Sequence, residues 1–143
     1  MDNLPIPIYG KGDNIRDWLY VEDHIDAILL IIEKGEIGET YCIGGNNERT
    51  NLDLVNEICS LLDKKLRKDY LHKELIRFVN DRPGHDRRYA INSEFIRKKL
   101  GWAPKHNFKQ ALNNTIDWYL SNRVWCDMIS KSGKYEGERI GLN

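Results

Sequence analysis

The segment from Tyr20 to Lys34, YVEDHIDAILLIIEK, limits the folds open to this chain more than any other stretch. Ile25, Ile28, Leu29 and Ile32 fall at i, i+3, i+4 and i+7, the spacing of one helical face. Ala27, Leu30 and Ile31 widen that face until little of the circumference is left for water. Such a helix is expected to be buried on most sides, and Gly35 and Gly38 are placed to end it. The chain has 143 residues, enough for one domain with its own core. The other elements are short, however, and offer this helix little to be buried against. The sequence reads as part of something larger.

Leu4–Tyr9, LPIPIY, alternates proline with apolar residues. It is expected to be extended, at a sheet edge or as an irregular strand, because proline cannot donate to a ladder. Gly10–Asn14 is a turn. Thr40–Ile43 predicts a short strand, stopped by Gly44 and Gly45. Thr50 or Asn51 caps a helix, with Asp53 three residues after Thr50. Leu52, Val55, Cys59 and Leu62 form its inner face. A polar span, Asp63 to Lys73, leads to a further strand over Leu75–Val79. Asn92 or Ser93 opens a helix through Leu100 that Gly101 closes. Asn107 with Gln110 makes another cap, followed by a stripe of Leu112, Ile116, Tyr119 and Leu120. This order places the chain in the α/β class, mostly helical with a few short strands. Residues 1–130 read as one domain, and residues 131–143 lack periodicity and read as a flexible tail.

Lys+Arg and Asp+Glu number 22 each, so the formal net charge is +0. A general nucleic-acid binder needs a basic face or stripe, so no nucleic-acid partner is expected. Cys42, Cys59 and Cys126 are scattered and form no CxxC pair, which suits free thiols in a reducing compartment. The most apolar run, Ala27 to Ile32, is six residues long. A membrane span needs about 20. The amino end, MDNLPIPIYG, has no basic region leading into an apolar stretch. The expected location is the cytoplasm, without membrane contact.

The motifs of a self-contained enzyme are missing. The glycines occur as Gly10/Gly12, Gly35/Gly38 and Gly44/Gly45, none of which makes the GxGxxG that lets backbone amides reach a pyrophosphate. No tyrosine has a lysine four residues on; Tyr119 is followed there by Arg123 and Tyr135 by Arg139. That pair would put a phenol and an ammonium on one helix face for base catalysis. His24, His72, His85 and His106 are dispersed, with no second ligand at metal spacing.

What remains is anion recognition. Asp81–Ile91 reads DRPGHDRRYAI and gathers Arg82, His85, Arg87 and Arg88 around a Pro-Gly turn. Guanidinium groups are planar donor forks suited to phosphate oxygens. On composition alone the plainer reading is a solvated loop whose arginines pair with Asp81 and Asp86. Arg16, in NIRDW beside a glycine-rich turn, is a second candidate, open equally to a surface pair with aspartate. Asn51, by propensity, is a helix cap.

The series YGKGDNIRDWLYVEDH, GETYCIGG, DRPGHDRRYAI and LGWAP, in this order, closely resembles the carboxy-terminal part of the dTDP-glucose 4,6-dehydratases. They belong to the extended short-chain dehydrogenase/reductase superfamily. The likeness covers about residues 4–126, and DRPGHDRRYAI is its most specific piece. It implies an enzyme that uses tightly bound NAD to oxidise a dTDP-sugar at C4, eliminate water and return the hydride to C6, as a step toward deoxysugars such as rhamnose. It implies that Pro7 and Tyr9 line a thymidine diphosphate pocket, that Arg16 lies on the diphosphate, and that Asn51 belongs to the same site. Arg82 and His85 match residues that close over the nucleotide. The glycine motif, the Tyr-x-x-x-Lys pair and the dehydration acids belong to an amino-terminal Rossmann half, which this sequence lacks. The chain alone is therefore expected to be a nucleotide-sugar binding module without catalysis, with the Tyr20–Lys34 helix free for self-association or for pairing with the missing half. A related nucleotide-sugar epimerase or dehydratase portion and a non-catalytic interaction protein are the alternatives.

Overall fold

A computed structural model describes residues 4–132. The first strand, β1 (Ile6–Tyr9), pairs in parallel with β4 (Ile76–Val79), with Ile8 opposite Phe78. Among the described residues this sheet has two strands and the other edge of β1 carries no ladder, so Pro7 costs nothing there. Ile8 is buried, while Pro7 and Tyr9 lie on the opposite face of the strand.

A turn at Gly10–Asn14 leads to β2 (Ile15–Asp17). A Cβ on Gly12, whose φ is +72°, would sit 2.7 Å from Ile8 Cγ2 and 3.0 Å from Leu52 Cβ. Only glycine lets the chain pass here. β2 is the middle strand of a second sheet, antiparallel to β3 (Glu48–Thr50) and parallel to β5 (Arg88–Tyr89).

Helix α1 (Val21–Lys34) turns Ala27, Leu30 and Ile31 toward Trp102 and toward Ile96 of α3 (Glu94–Leu100). Its Asp23 is 1% exposed and accepts from the backbone N–H groups of Lys105 (3.1 Å) and His106 (3.2 Å), and Oδ1 lies 2.9 Å from His106 Nδ1. Burial by itself would push this carboxyl up, but the His106 side chain and the two backbone N–H groups together hold it below its usual value.

Helix α2 (Asn51–Leu66) starts at Thr50, whose Oγ1 accepts from Asp53 N at 3.0 Å. It ends at Arg67, in the left-handed region at φ +44°. A single 3-10 turn, His72–Leu75, follows and enters β4. His72 is buried against Asp63, which accepts from its backbone N–H at 2.9 Å and lies 2.6 Å from its Nδ1; the backbone bond first, then the ring, hold Asp63 low. Cys59 and Leu62 of α2 and Ile116 of α4 (Phe108–Ser121) are buried where these two helices pack. Burial pushes the Cys59 thiol up, so it behaves as a small apolar side chain. Helix α5 (Arg123–Ser132) closes the described residues.

Most of the expected elements are present, within a residue or two. Three expectations are corrected. Thr40–Ile43 is not a strand: among the described residues no neighbouring strand offers it a ladder, and Tyr41 and Ile43 instead pack as side chains on the Ala27, Ile96 and Trp102 cluster. The α1 helix is not buried on most sides. Val21, Ile25, Ile28, Leu29 and Ile32 form an apolar stripe that is 40% to 76% exposed, because the described residues cover only the opposite face. Lys131 and Ser132, expected in the tail, end α5, and residues 133–143 of that tail lie outside the described residues.

Candidate nucleotide-anion site

The segment 80–87 joins β4 of one sheet to β5 of the other, so the loop is anchored at both ends by strands. Its backbone is also tied in the middle. Ile15 N donates to Arg87 O at 2.7 Å. Arg16 Nη2 donates to Asp86 O at 3.0 Å, and buried Asn14 reaches the same oxygen through Nδ2 at 3.3 Å. The Asn14 carbonyl in turn accepts from Asn51 N at 2.9 Å. One short path of hydrogen bonds thus links the loop, β2 and the start of α2.

Four of the six expected residues meet around this loop. His85 lies with its ring centroid 6.0 Å from that of Tyr9, edge to face, and its Nδ1 is 2.7 Å from Asp81 Oδ1. Arg16 reaches the loop backbone and lies 4.8 Å from the centre of the Tyr89 ring. Arg82 sits on the loop, its backbone N–H held by Asp81 at 2.8 Å. Asn51 is joined to the group through its backbone, and Pro7 shares the Tyr9 face of β1 without a polar link to the rest.

The arginines of the loop do not pair with Asp81 and Asp86. Asp81 is taken by His85, whose side chain holds the carboxyl below its usual value, and Asp86 accepts from the Tyr89 hydroxyl, which is raised by that contact. Arg88 instead forms a two-pronged pair with Glu48, at 2.6 Å for both contacts, spanning β2 from β5 to β3. Among the described residues the guanidinium groups of Arg16 and Arg82 lie within 4.0 Å of no carboxylate. Arg16 is held by its own fork, which donates from Nη1 to Ile15 O at 2.6 Å and from Nη2 to Asp86 O, so the rim carries two guanidinium charges that no carboxylate pairs directly, a setting that suits an anion.

Asn14, Tyr89 and Glu48 are parts of this arrangement that sequence reasoning did not assign, and Asp81, Asp86 and Arg88 were expected in the loop but with other partners. Their residue types are common in turns, and only the folded path brings them together.

Against known proteins, the family model described as GDP-mannose 4,6 dehydratase matches residues 1–115. The chain belongs to this dehydratase family. It is 52% identical over 136 residues to dTDP-glucose 4,6-dehydratase 1 of Escherichia coli strain K12, covering 95% of this chain and 37% of that protein. The solved dTDP-glucose 4,6-dehydratase of Bacillus anthracis, in complex with NAD, is 45% identical with a TM-score of 0.76, over 87% of this chain and 37% of that one. The Streptomyces venezuelae enzyme of the same name, also solved with NAD, is 38% identical with a TM-score of 0.74. The chain thus spans a little over a third of the length of these relatives.

Both of these dTDP-glucose 4,6-dehydratase structures hold NAD, yet the described residues of this chain do not fit a dinucleotide seat. No glycine-rich turn leads from a strand into the start of α1, where Trp18, Leu19 and Tyr20 intervene. The first amides of α2 are already given to Asn14 O, Gly12 O and Thr50 Oγ1. Nor is any helix among the described residues long and apolar enough to cross a membrane.

Proposed function

We propose that this chain is the nucleotide-sugar-binding, carboxy-terminal portion of a dTDP-glucose 4,6-dehydratase, a lyase that works with bound NAD. The observation that carries this reading is the tie between Arg16 and the Asp86 carbonyl. It holds an arginine of β2 against the loop that bears Arg82 and His85, so cationic groups far apart in sequence share one rim. Arg16 lies on the diphosphate, Arg82 and His85 close over the nucleotide, Pro7 and Tyr9 line the thymidine diphosphate pocket, and Asn51 belongs to the same site. Residues 1–130 form this binding unit.

Titration calorimetry with dTDP at fixed, modest ionic strength tests the assignment. Arg82→Ala is expected to lose about 1.5–3 kcal/mol of binding, the value of a hydrogen bond to a charged group. Arg82→Lys recovers only part, since an ammonium lacks the planar fork. Detectable dTDP binding that is unchanged in both Arg16→Ala and Arg82→Ala overturns the clamp.

The groups for hydride transfer and dehydration belong, on this reading, to an amino-terminal portion of the enzyme. The 143-residue chain supplied with dTDP-glucose and NAD is expected to form no 4-keto product above a heat-killed control. Clear turnover would mean the catalytic groups are in this chain after all.

The same reading gives the exposed stripe of α1 a partner. Val21 belongs to that stripe and also borders a cavity of about 590 Å³ between the β2–α1 junction, α2 and α4, lined by Leu54, Ile58, Leu112 and Trp118. Stripe and cavity make one apolar surface. The amino-terminal portion of the fold covers it in the whole enzyme, and copies of this chain cover it for one another when that portion is absent.

A further inference from the structure

Asp17 lies next to Arg16 at the end of β2, and nothing above assigns it a role. Its carboxylate accepts three consecutive backbone N–H groups: Gly45 N at 2.8 Å, Asn46 N at 3.2 Å and Asn47 N at 2.6 Å. Successive amides that converge on one anion form a concave nest, and a left-handed residue within the run produces that curvature. Asn46 is that residue, at φ +51°. The two glycines before it fit the same purpose. A Cβ on Gly44 would lie 2.8 Å from Asp17 Oδ2, and one on Gly45 would lie 2.6 Å from Trp18 O. The pair Gly44-Gly45 therefore lets the loop close around the carboxylate.

The nest opens directly into β3. Asn47 O accepts from Trp18 N at 3.2 Å, then Glu48–Thr50 pairs with β2, Thr50 caps α2, and Asn51 follows. Asp17 thus fixes the start of the strand that sets where Asn51 and Glu48 stand relative to Arg16. Glu48 in turn holds Arg88 and the end of the anion loop.

We infer that Asp17 is a positioning residue for the nucleotide site: its carboxylate fills the Gly45–Asn47 nest and so holds β3, Asn51 and the Glu48–Arg88 bridge in register with Arg16. The inference rests on the dTDP reading for its functional consequence, and on geometry alone for the positioning.

The test uses the full chain with Asp17→Ala and Gly45→Ala. Asp17→Ala keeps its far-ultraviolet circular dichroism and loses at least about tenfold in dTDP affinity, the scale of one charge-assisted bond. Acetate, compared with chloride at equal ionic strength, restores part of that affinity by entering the emptied nest. Gly45→Ala shows a similar loss that acetate does not restore, because its nest is deformed rather than vacant. A purely structural aspartate would give no acetate-specific recovery. Amide hydrogen exchange decides the positioning independently of dTDP. In Asp17→Ala the amides of Glu48–Asn51 exchange at least about tenfold faster while those of α4 are unchanged, as in a local rather than global opening. Unchanged exchange at Glu48–Asn51 overturns the inference whether or not dTDP binds. Failure of the unsubstituted chain to bind dTDP, with the exchange change present, overturns the nucleotide reading and leaves the positioning supported.

Discussion

Replacing Asp23 with alanine is expected to lower stability by about 2 kcal/mol or more, since a polar group that loses its partner on folding costs about 1–3 kcal/mol. Two such donors, the backbone N–H groups of Lys105 and His106, depend on this carboxylate, and its ring contact with His106 is lost as well. The bonds join the first turn of α1 to the segment between α3 and α4, so their loss also loosens the wall behind Ala27 and Trp102. Asp23→Asn is expected to recover part, because an amide oxygen still accepts one or two of these bonds. Urea unfolding followed by circular dichroism measures the difference. A shift under about 1 kcal/mol would mean that water replaces the carboxylate at the freed amides at little cost. The pH dependence has a fixed sign. Asp23 and Asp63 both have folded values below the ordinary one. Their contribution is complete above the unfolded value, about 3.9, and is lost as pH falls through the lower folded value. Acid unfolding of the unsubstituted chain should therefore steepen below about pH 4, and Asp23→Ala should flatten that limb.

The second large effect concerns association. Sedimentation velocity across a range of concentrations is expected to show self-association of the chain, and Ile25→Lys with Leu29→Lys is expected to weaken it by roughly a hundredfold. Burying one such side chain contributes about 1.5–3 kcal/mol, and 1.4 kcal/mol is a factor of ten. Both residues lie in the middle of the exposed α1 stripe, and neither is among the residues proposed to bind nucleotide. The doubly substituted chain should keep its helical content and any dTDP binding. A chain that stays monomeric at all concentrations would overturn the partner surface proposed for α1.

Helices with chemical stop and start signals were legible from sequence. α1 ends at Lys34 as the apolar period and Gly35 require, Thr50 and Asn107 cap as their spacing to Asp53 and Gln110 implies, and Gly101 closes α3 at φ +70°. The strands of the second sheet were not legible. Ile15–Asp17, Glu48–Thr50 and Arg88–Tyr89 are two or three residues each, mostly charged, and have no room for a period of two. They are strands because their backbones find one another. Thr40–Ile43 shows the converse, with good strand residues and no neighbour to pair with. The site divides the same way. The concentration of arginine and histidine marked the loop, and the resemblance supplied Pro7, Tyr9 and Asn51. Which groups pair within it was hidden, because His85 with Asp81 and Tyr89 with Asp86 follow from how the loop turns rather than from charge.

The ties that assemble the loop are long in sequence. Arg16 and Asn14 reach Asp86 across 70 and 72 residues, and His106 reaches Asp23 across 83. The parallel pair β1 and β4 likewise joins Ile6 to Ile76. Closing such spans must precede any reward from the contacts they make, and chains dominated by distant pairings fold more slowly than those built from local ones. During synthesis, Arg16 emerges from the ribosome well before the carbonyl it will bind. The helices can form early and locally, whereas the anion rim takes shape only once the chain through Tyr89 is available. Its appearance is therefore a late event in folding, and a destabilised variant should lose the rim while much of its helix remains.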